Sequence, residues 1–268
     1  MPTSRFLSLH VPGHPLLMPN VWDLGSARIA ASLGFQALAT TSSGFAATLG
    51  RRDGGVTREE AIEHAGAIAA AVKVPVSADL ENGFADEPAG VGATVSIAAD
   101  AGLAGLSIED WSGSEIYSLG HAVERVGAAA ESAHAGDRAV VLTARAENHI
   151  RGVDDLDDTI ARLLAFAQAG ADVVFAPGIV SADQIRAVVS AVSVPVSVLA
   201  VPGAPDVAGM GALGVSRISV GGALAFNAYG SLVAAGTELL QRGTYGYWDG
   251  YRAGAAAAKQ AFTSALGV

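Results

Sequence analysis

Short apolar runs alternate with longer segments of helical period along almost the whole chain. The first run spans residues 16–21, and a helical segment over 25–33 follows, stopped by Gly34. A strand over 37–41 comes next, then a loop rich in Ser and Gly. A helix over 58–72 follows, with Thr57 as its N-cap and Thr57-Arg58-Glu59-Glu60 as a capping box. The same rhythm continues with strands over 75–80, 105–109, 140–145, 172–176, 194–200 and 217–220. The intervening helices are predicted over 88–101, 122–134, 155–169, 182–192 and 206–213, and a last one over 223–241. Eight strands, each followed by a helix, predict a (β/α)8 TIM barrel; a doubly wound open sheet is the alternative. Residues 1–243 then form the barrel catalytic domain. Residues 244–268, with the aromatic cluster Tyr245, Tyr247, Trp248 and Tyr251 ahead of an Ala-rich helix, form an extension that one barrel does not need. That extension is expected to pack on a partner subunit.

Two of the apolar runs end in acids: Asp79 and Glu81 close one, Glu109 and Asp110 another. Apolar strands have no reason of their own to finish in carboxylates. Carboxylates gathered at one end of a parallel sheet repel unless a cation lies between them. Taken singly, each acid has a plainer reading as a helix N-cap or a surface charge. Three on neighbouring strand ends point to a divalent metal. Oxygen-only donors favour Mg²⁺, or Mn²⁺, over Zn²⁺.

The chain has 268 residues, 51% hydrophobic and 16% charged, enough for one large core. A net charge of -10 without a basic stripe argues against a nucleic-acid partner. No stretch has the length and apolarity of a membrane span, and the first residues lack the pattern of a signal peptide, so a cytoplasmic protein is expected. The absence of cysteine excludes disulfides, thiolate metal sites and cysteine nucleophiles. The two lysines, Lys73 and Lys259, fall away from the strand ends, which argues against imine chemistry.

In such a barrel the chemistry lies at the C-terminal ends of the strands. Those ends carry Asn20, Trp22 and Asp23, then Thr41, Ser42, Ser43 and Gly44, then Asp79, Glu81, Asn82, Glu109 and Asp110. The fifth strand ends in Arg145, with Glu147, Asn148 and His149 after it. Arg145 can hold a carboxylate or phosphonate through two parallel hydrogen bonds, or can pair with Glu147 or Glu109. Ser42-Ser43-Gly44 offers backbone N–H groups to an anion, and Asp53 sits among glycines where a carboxylate can approach a ligand. Tyr117 or His121, on the loop after the fourth strand, could supply a proton. Gly209-Met210-Gly211-Ala212-Leu213-Gly214 matches the dinucleotide fingerprint in letters only. It falls inside a short helix, not at a strand-to-helix turn.

The phrases Pro19-Asn20-Val21-Trp22-Asp23, Thr41-Ser42-Ser43-Gly44, Leu49-Gly50-Arg51-Arg52-Asp53-Gly54, Ala78-Asp79-Leu80-Glu81-Asn82-Gly83-Phe84, Ser107-Ile108-Glu109-Asp110 and Ala144-Arg145-Ala146-Glu147-Asn148 together resemble the isocitrate lyase/phosphoenolpyruvate mutase superfamily. The resemblance implies a barrel with its terminal helix exchanged in a homodimer or homotetramer. It also implies Mg²⁺ and an enolate-type intermediate formed from a small anionic oxo acid. Asp79, Glu81 and Glu109 would hold the metal; Ser43, Gly44 and Arg145 would hold the substrate's anionic end, with Trp22, Ser42 and Asn148 near it and Asp53 beside the reacting group. The isocitrate lyase loop Lys-Lys-Cys-Gly-His is absent, since residues 111–121 contain neither Lys nor Cys, and the mutase loop is also missing. Ala146 stands where relatives often have Thr, and Ser197 where Asn is usual. The expected activity is a C–C lyase or decarboxylase acting on an α-oxo or hydroxy dicarboxylic acid. Phosphoenolpyruvate or phosphonopyruvate mutase or hydrolase chemistry, and a non-catalytic oxo-acid binding protein, are the alternatives.

Overall fold

The fold rests on a computed structural model that describes residues 5–135 and 139–265. The last residues of the expected extension, 266–268, and the start of the chain at 1–4 lie outside the described residues. Among the described residues, nine strand segments, all parallel, form one sheet whose two edges are consecutive pieces of chain. β1 (Leu16–Met18) pairs with β9 (Arg217–Ser219), while β2 (Asn20–Val21) pairs with β3 (Leu38–Thr40). The single first strand expected from the sequence is thus divided at Pro19, which has no N–H to give to a ladder. Its carbonyl still accepts from the Ala39 N–H at 3.0 Å. Because one interrupted strand supplies both edges, the sheet closes into an eight-staved barrel.

The remaining strands are β4 (Val76–Asp79), β5 (Gly105–Glu109), β6 (Val141–Arg145), β7 (Val173–Phe175) and β8 (Val196–Leu199). Helices lie between them on the outside: α1 (Leu24–Ser32), α3 (Arg58–Ala71), α4 (Pro88–Asp100), α5 (Leu119–Ala133), α6 (Leu156–Gln168), α7 (Ala182–Ala191) and α8 (Val207–Ala212). The capping box at Thr57 forms as expected, with Glu60 returning to the Thr57 N–H at 2.9 Å. The Ser/Gly loop expected after the second strand instead contains α2 (Ser42–Thr48), because the Thr41 side chain caps it by accepting from the Gly44 N–H at 3.3 Å. α9 (Ala223–Arg242) and α10 (Trp248–Ala265) complete the chain.

The main core lies between the sheet and the helices, around Leu106, Ile108, Leu142, Leu163 and Phe166. A second cluster closes the N-terminal mouth, where Phe6 rests against β5. Gly105 leaves room for that ring, since a Cβ there would stand 2.7 Å from it. Part of α10 lies on α1 of the same chain and buries Ala261. Leu232, Val233 and Leu240 of α9, with Tyr245, Trp248 and Tyr251, remain exposed.

Candidate active site

The acids arrive together because adjacent parallel strands end at the same level. Asp79 of β4 pairs in register with Ser107 of β5, and Glu109 of β5 with Arg145 of β6. The chain beyond β4 turns sharply, with Glu81 (φ 49°) and Phe84 (φ 55°) in the left-handed region that non-glycine residues avoid. The turn is held where the Glu81 carbonyl accepts from the Glu109 N–H at 2.9 Å.

Arg145 is the hub. Nη1 donates to Asp79 Oδ1 at 3.0 Å, while Nη2 lies 3.0 Å from Glu109 Oε2 and 2.8 Å from Glu147 Oε1. Nε also donates to Glu147 Oε1 at 3.0 Å. Arg151 adds contacts to Glu109 Oε1 at 3.4 Å and to Glu147 Oε2 at 3.1 Å. Asp79 is fixed further by the Ser42 N–H, which donates to Oδ2 at 3.2 Å. Beneath this layer, Asp110 accepts from the Glu147 N–H at 2.8 Å and lies 3.1 Å from Arg162 Nη1.

Burial pushes the Glu109 carboxyl up to about 8; Arg145 opposes this, and Glu147 and Asp79 add to it. Glu81 is pushed up to about 7, first by burial and then by Asp79 and Asp53. Asp110 rises to about 6 through burial, against the Glu147 N–H and Arg162. Burial works against the Arg145 cation, yet Glu147, Glu109 and Asp79 outweigh it and hold its proton more firmly than usual.

Two cavities of about 400 and 610 Å³ open here and share Ser42, Asp53, Arg145 and Ile150. The smaller descends into the barrel and is lined by Asn20, Ser43, Asp79 and Arg217; the larger lies over Glu81, Glu109, Glu147, Trp111 and Arg151. Asp53 sits on the exposed loop before α3 and reaches both. Gly44 is buried beneath Trp22, and its amide is spent on the α2 cap. Trp22 and Asn148 line neither cavity among the described residues; Asn148 instead donates to Asp158 Oδ2 at 2.7 Å. Tyr117 and His121 also lie outside both. The Tyr117 hydroxyl bonds to Asp86 and accepts from Asn82 Nδ2 at 3.3 Å, and His121 Nε2 meets the Asp86 carbonyl at 3.0 Å. They anchor the turn between β4 and α4. Glu147 pairs with Arg145 as the strand-end reading allowed, whereas Arg151 and Arg217 are the site residues that this reading passed over. The signal for Arg217 was a charged residue inside the buried run Val215-Ser216-Arg217-Ile218.

The donor chemistry fits a hard divalent cation. Asp53, Glu81, Glu109 and Glu147 border the larger cavity and Asp79 adjoins it, whereas only Arg145 and Arg151 stand there to balance them. Burial raises the carboxyls of Glu81 and Glu109 first, and the neighbouring acids add to it. As the side chains stand, no three carboxylate or imidazole groups among the described residues converge closely enough to hold a metal; Arg145 lies between Asp79 and Glu109.

Residues 6–240 match the phosphoenolpyruvate phosphomutase family. The chain belongs to that family. It therefore falls in the isocitrate lyase/phosphoenolpyruvate mutase superfamily that its motifs resemble. A Burkholderia cenocepacia J2315 protein described no more closely than lyase/mutase is 47% identical, with a TM-score of 0.87 over 90% of this chain and 88% of that one. The 2,3-dimethylmalate lyase structure is 28% identical, with a TM-score of 0.78 over 88% of this chain and 85% of that one. An oxaloacetate decarboxylase of Bradyrhizobium sp. (strain BTAi1 / ATCC BAA-1182) is 32% identical over 75% of this chain and 71% of its own length. Family members thus include enzymes of lyase and mutase type. No helix among the described residues is long and apolar enough to cross a membrane.

Proposed function

We propose that the protein is a Mg²⁺-dependent lyase or decarboxylase that breaks a C–C bond in a small α-oxo or hydroxy dicarboxylic acid. The surplus of carboxylates over guanidinium groups at the ends of β4, β5 and β6 carries this reading. The likeness to an oxaloacetate decarboxylase and a dimethylmalate lyase supports it. Asp79, Glu81 and Glu109 would hold the metal. When bound, Mg²⁺ polarises the α-oxo carbonyl and offsets the negative charge that develops on its oxygen.

This chain's own residues do the rest. Arg145 keeps Asp79, Glu109 and Glu147 from repelling one another and fixes their orientation. Ser42 and Ser43 border the ligand space, and the low dielectric around it strengthens each polar contact to an anion. Asp53 reaches both cavities, has no ion pair among the described residues, and is the carboxylate assigned to proton movement beside the reacting carbon. Tyr117 and His121, turned toward Asp86, are assigned to loop anchoring.

A screen of oxo- and hydroxy-dicarboxylates for pyruvate or glyoxylate release, with Mg²⁺ and with EDTA, tests the activity. Calorimetry on Asp79→Ala tests the site, and undiminished Mg²⁺ affinity would exclude it. The family match gives P–C chemistry the second place. Phosphorus NMR with phosphonopyruvate decides that reading, which fails if nothing is consumed. The apolar face of α9 and α10, including Leu232, Val233 and Leu240, is proposed to pair with a second copy of the chain. Light scattering that shows a monomer would rule this out.

A further inference from the structure

Of the three arginines that border the two cavities, Arg145 meets three carboxylates and Arg151 two, while Arg217 meets none among the described residues. Arg217 begins β9 and points into the barrel, only 3% exposed. Its Nε donates to Ser197 Oγ at 2.9 Å and its Nη1 to Thr143 Oγ1 at 3.0 Å, both neutral hydroxyls. Burial, and then the positive charge of Arg145, push it down to about 9, so it remains a cation at neutral pH. His10, beneath the barrel, is no counter-charge: burial and then Arg217 push it down to about 3 and keep it neutral. A buried guanidinium without an anion is costly, and a structure that keeps one open to a cavity is prepared to receive an anion.

The surroundings agree. Ser77, Ser107 and Ser219 line the same cavity of about 400 Å³, and their hydroxyls have no hydrogen-bond partner among the described residues. Each can turn its O–H toward an anion held by Arg217. Thr143 precedes Arg145 by two residues on β6, so the Arg217 head lies one side-chain layer deeper, roughly 6–7 Å of strand rise below. Arg145 has its donors committed to acids. Arg217 does not.

We propose that Arg217, with the hydroxyls of Ser77, Ser107 and Ser219, is the receptor for a carboxylate at the floor of the barrel. Together with the oxo-acid reading of the upper site, on which this step rests, it makes the ligand a dicarboxylate whose distal acid group reaches Arg217. A monocarboxylate cannot serve both levels at once.

The full-length protein is titrated by calorimetry with malate, acetate and chloride, with Mg²⁺ present. Malate is expected to bind at least tenfold more tightly than acetate or chloride. Arg217→Met is expected to lose that factor and to bind malate no better than acetate; Arg217→Lys, which keeps the charge without the fork, falls between. Ser219→Val, which crowds the floor and leaves Arg217 in place, should also weaken malate and provides the test should Arg217→Met not fold. Unchanged malate affinity in the folded variant overturns the site, as does equal affinity of the wild type for malate, acetate and chloride. The activity screen separates the two readings. Turnover in a wild type whose malate binding ignores Arg217 sinks the receptor and leaves the lyase; Arg217-dependent binding without turnover of any oxo acid does the reverse.

Discussion

Replacing Arg145 by Met removes the cation that three carboxylates share while keeping much of the side-chain volume. Asp79, Glu109 and Glu147 lie 3.0, 3.0 and 2.8 Å from its guanidinium nitrogens, and Glu147 is wholly buried. Breaking a buried ion pair by removing one partner costs about 3–5 kcal/mol. The Glu109 carboxyl, already pushed up to about 8, holds a proton through most of the neutral range and relieves part of that repulsion. The lower end of the range, about 3 kcal/mol at pH 7, is therefore expected. For a domain of this size that corresponds to a fall of roughly 6–12 °C in melting temperature. The sign of the pH dependence follows from the same group. As pH rises through about 8, Glu109 ionises and the loss of Arg145 costs more; toward pH 5 the carboxyl stays neutral and the gap narrows. Thermal melts of wild type and Arg145→Met, followed by circular dichroism in EDTA at pH 5, 7 and 9, measure this directly. A gap that is absent, or that does not widen with pH, would refute the view of Arg145 as the neutralising hub.

Without metal, the wild type should lose stability as pH rises from about 4.5 to 8. Glu81 and Glu109 bind protons more tightly folded than unfolded, and Mg²⁺ should restore the loss; a melting profile in EDTA that is flat over this range speaks against it. Gly44→Ala places a methyl 2.5 Å from Thr41 Cγ2 and 3.2 Å from Ala225 and Trp22, so urea denaturation should show a loss of about 1–3 kcal/mol. Tyr117→Phe breaks the bond to Asp86 outside both cavities. It should cost about 1 kcal/mol of stability and leave the turnover of any substrate found nearly unchanged; a large drop in turnover would return Tyr117 to the chemistry.

Hydrophobic period, capping residues and strand-ending acids were enough to determine the succession of strands and helices, the barrel class and the carboxylate-rich end. β5 begins and ends at the predicted residues, Gly105 and Glu109, and α3 differs by one residue at its C-terminus. These are local properties: which face a residue shows and whether an N–H is capped depend on neighbours a few positions away. Only the tertiary structure decided that Pro19 divides the closing strand, that Arg145 is saturated by carboxylates, that Tyr117 and His121 turn to Asp86, and that Arg217 meets no acid among the described residues. Each of these depends on which strands become neighbours once the barrel closes, and on register between residues that are 66 positions apart for Asp79 and Arg145 and 74 for Thr143 and Arg217. A periodic pattern carries no information about such pairings, because the same residues on the same strands would meet different partners after a shift of register.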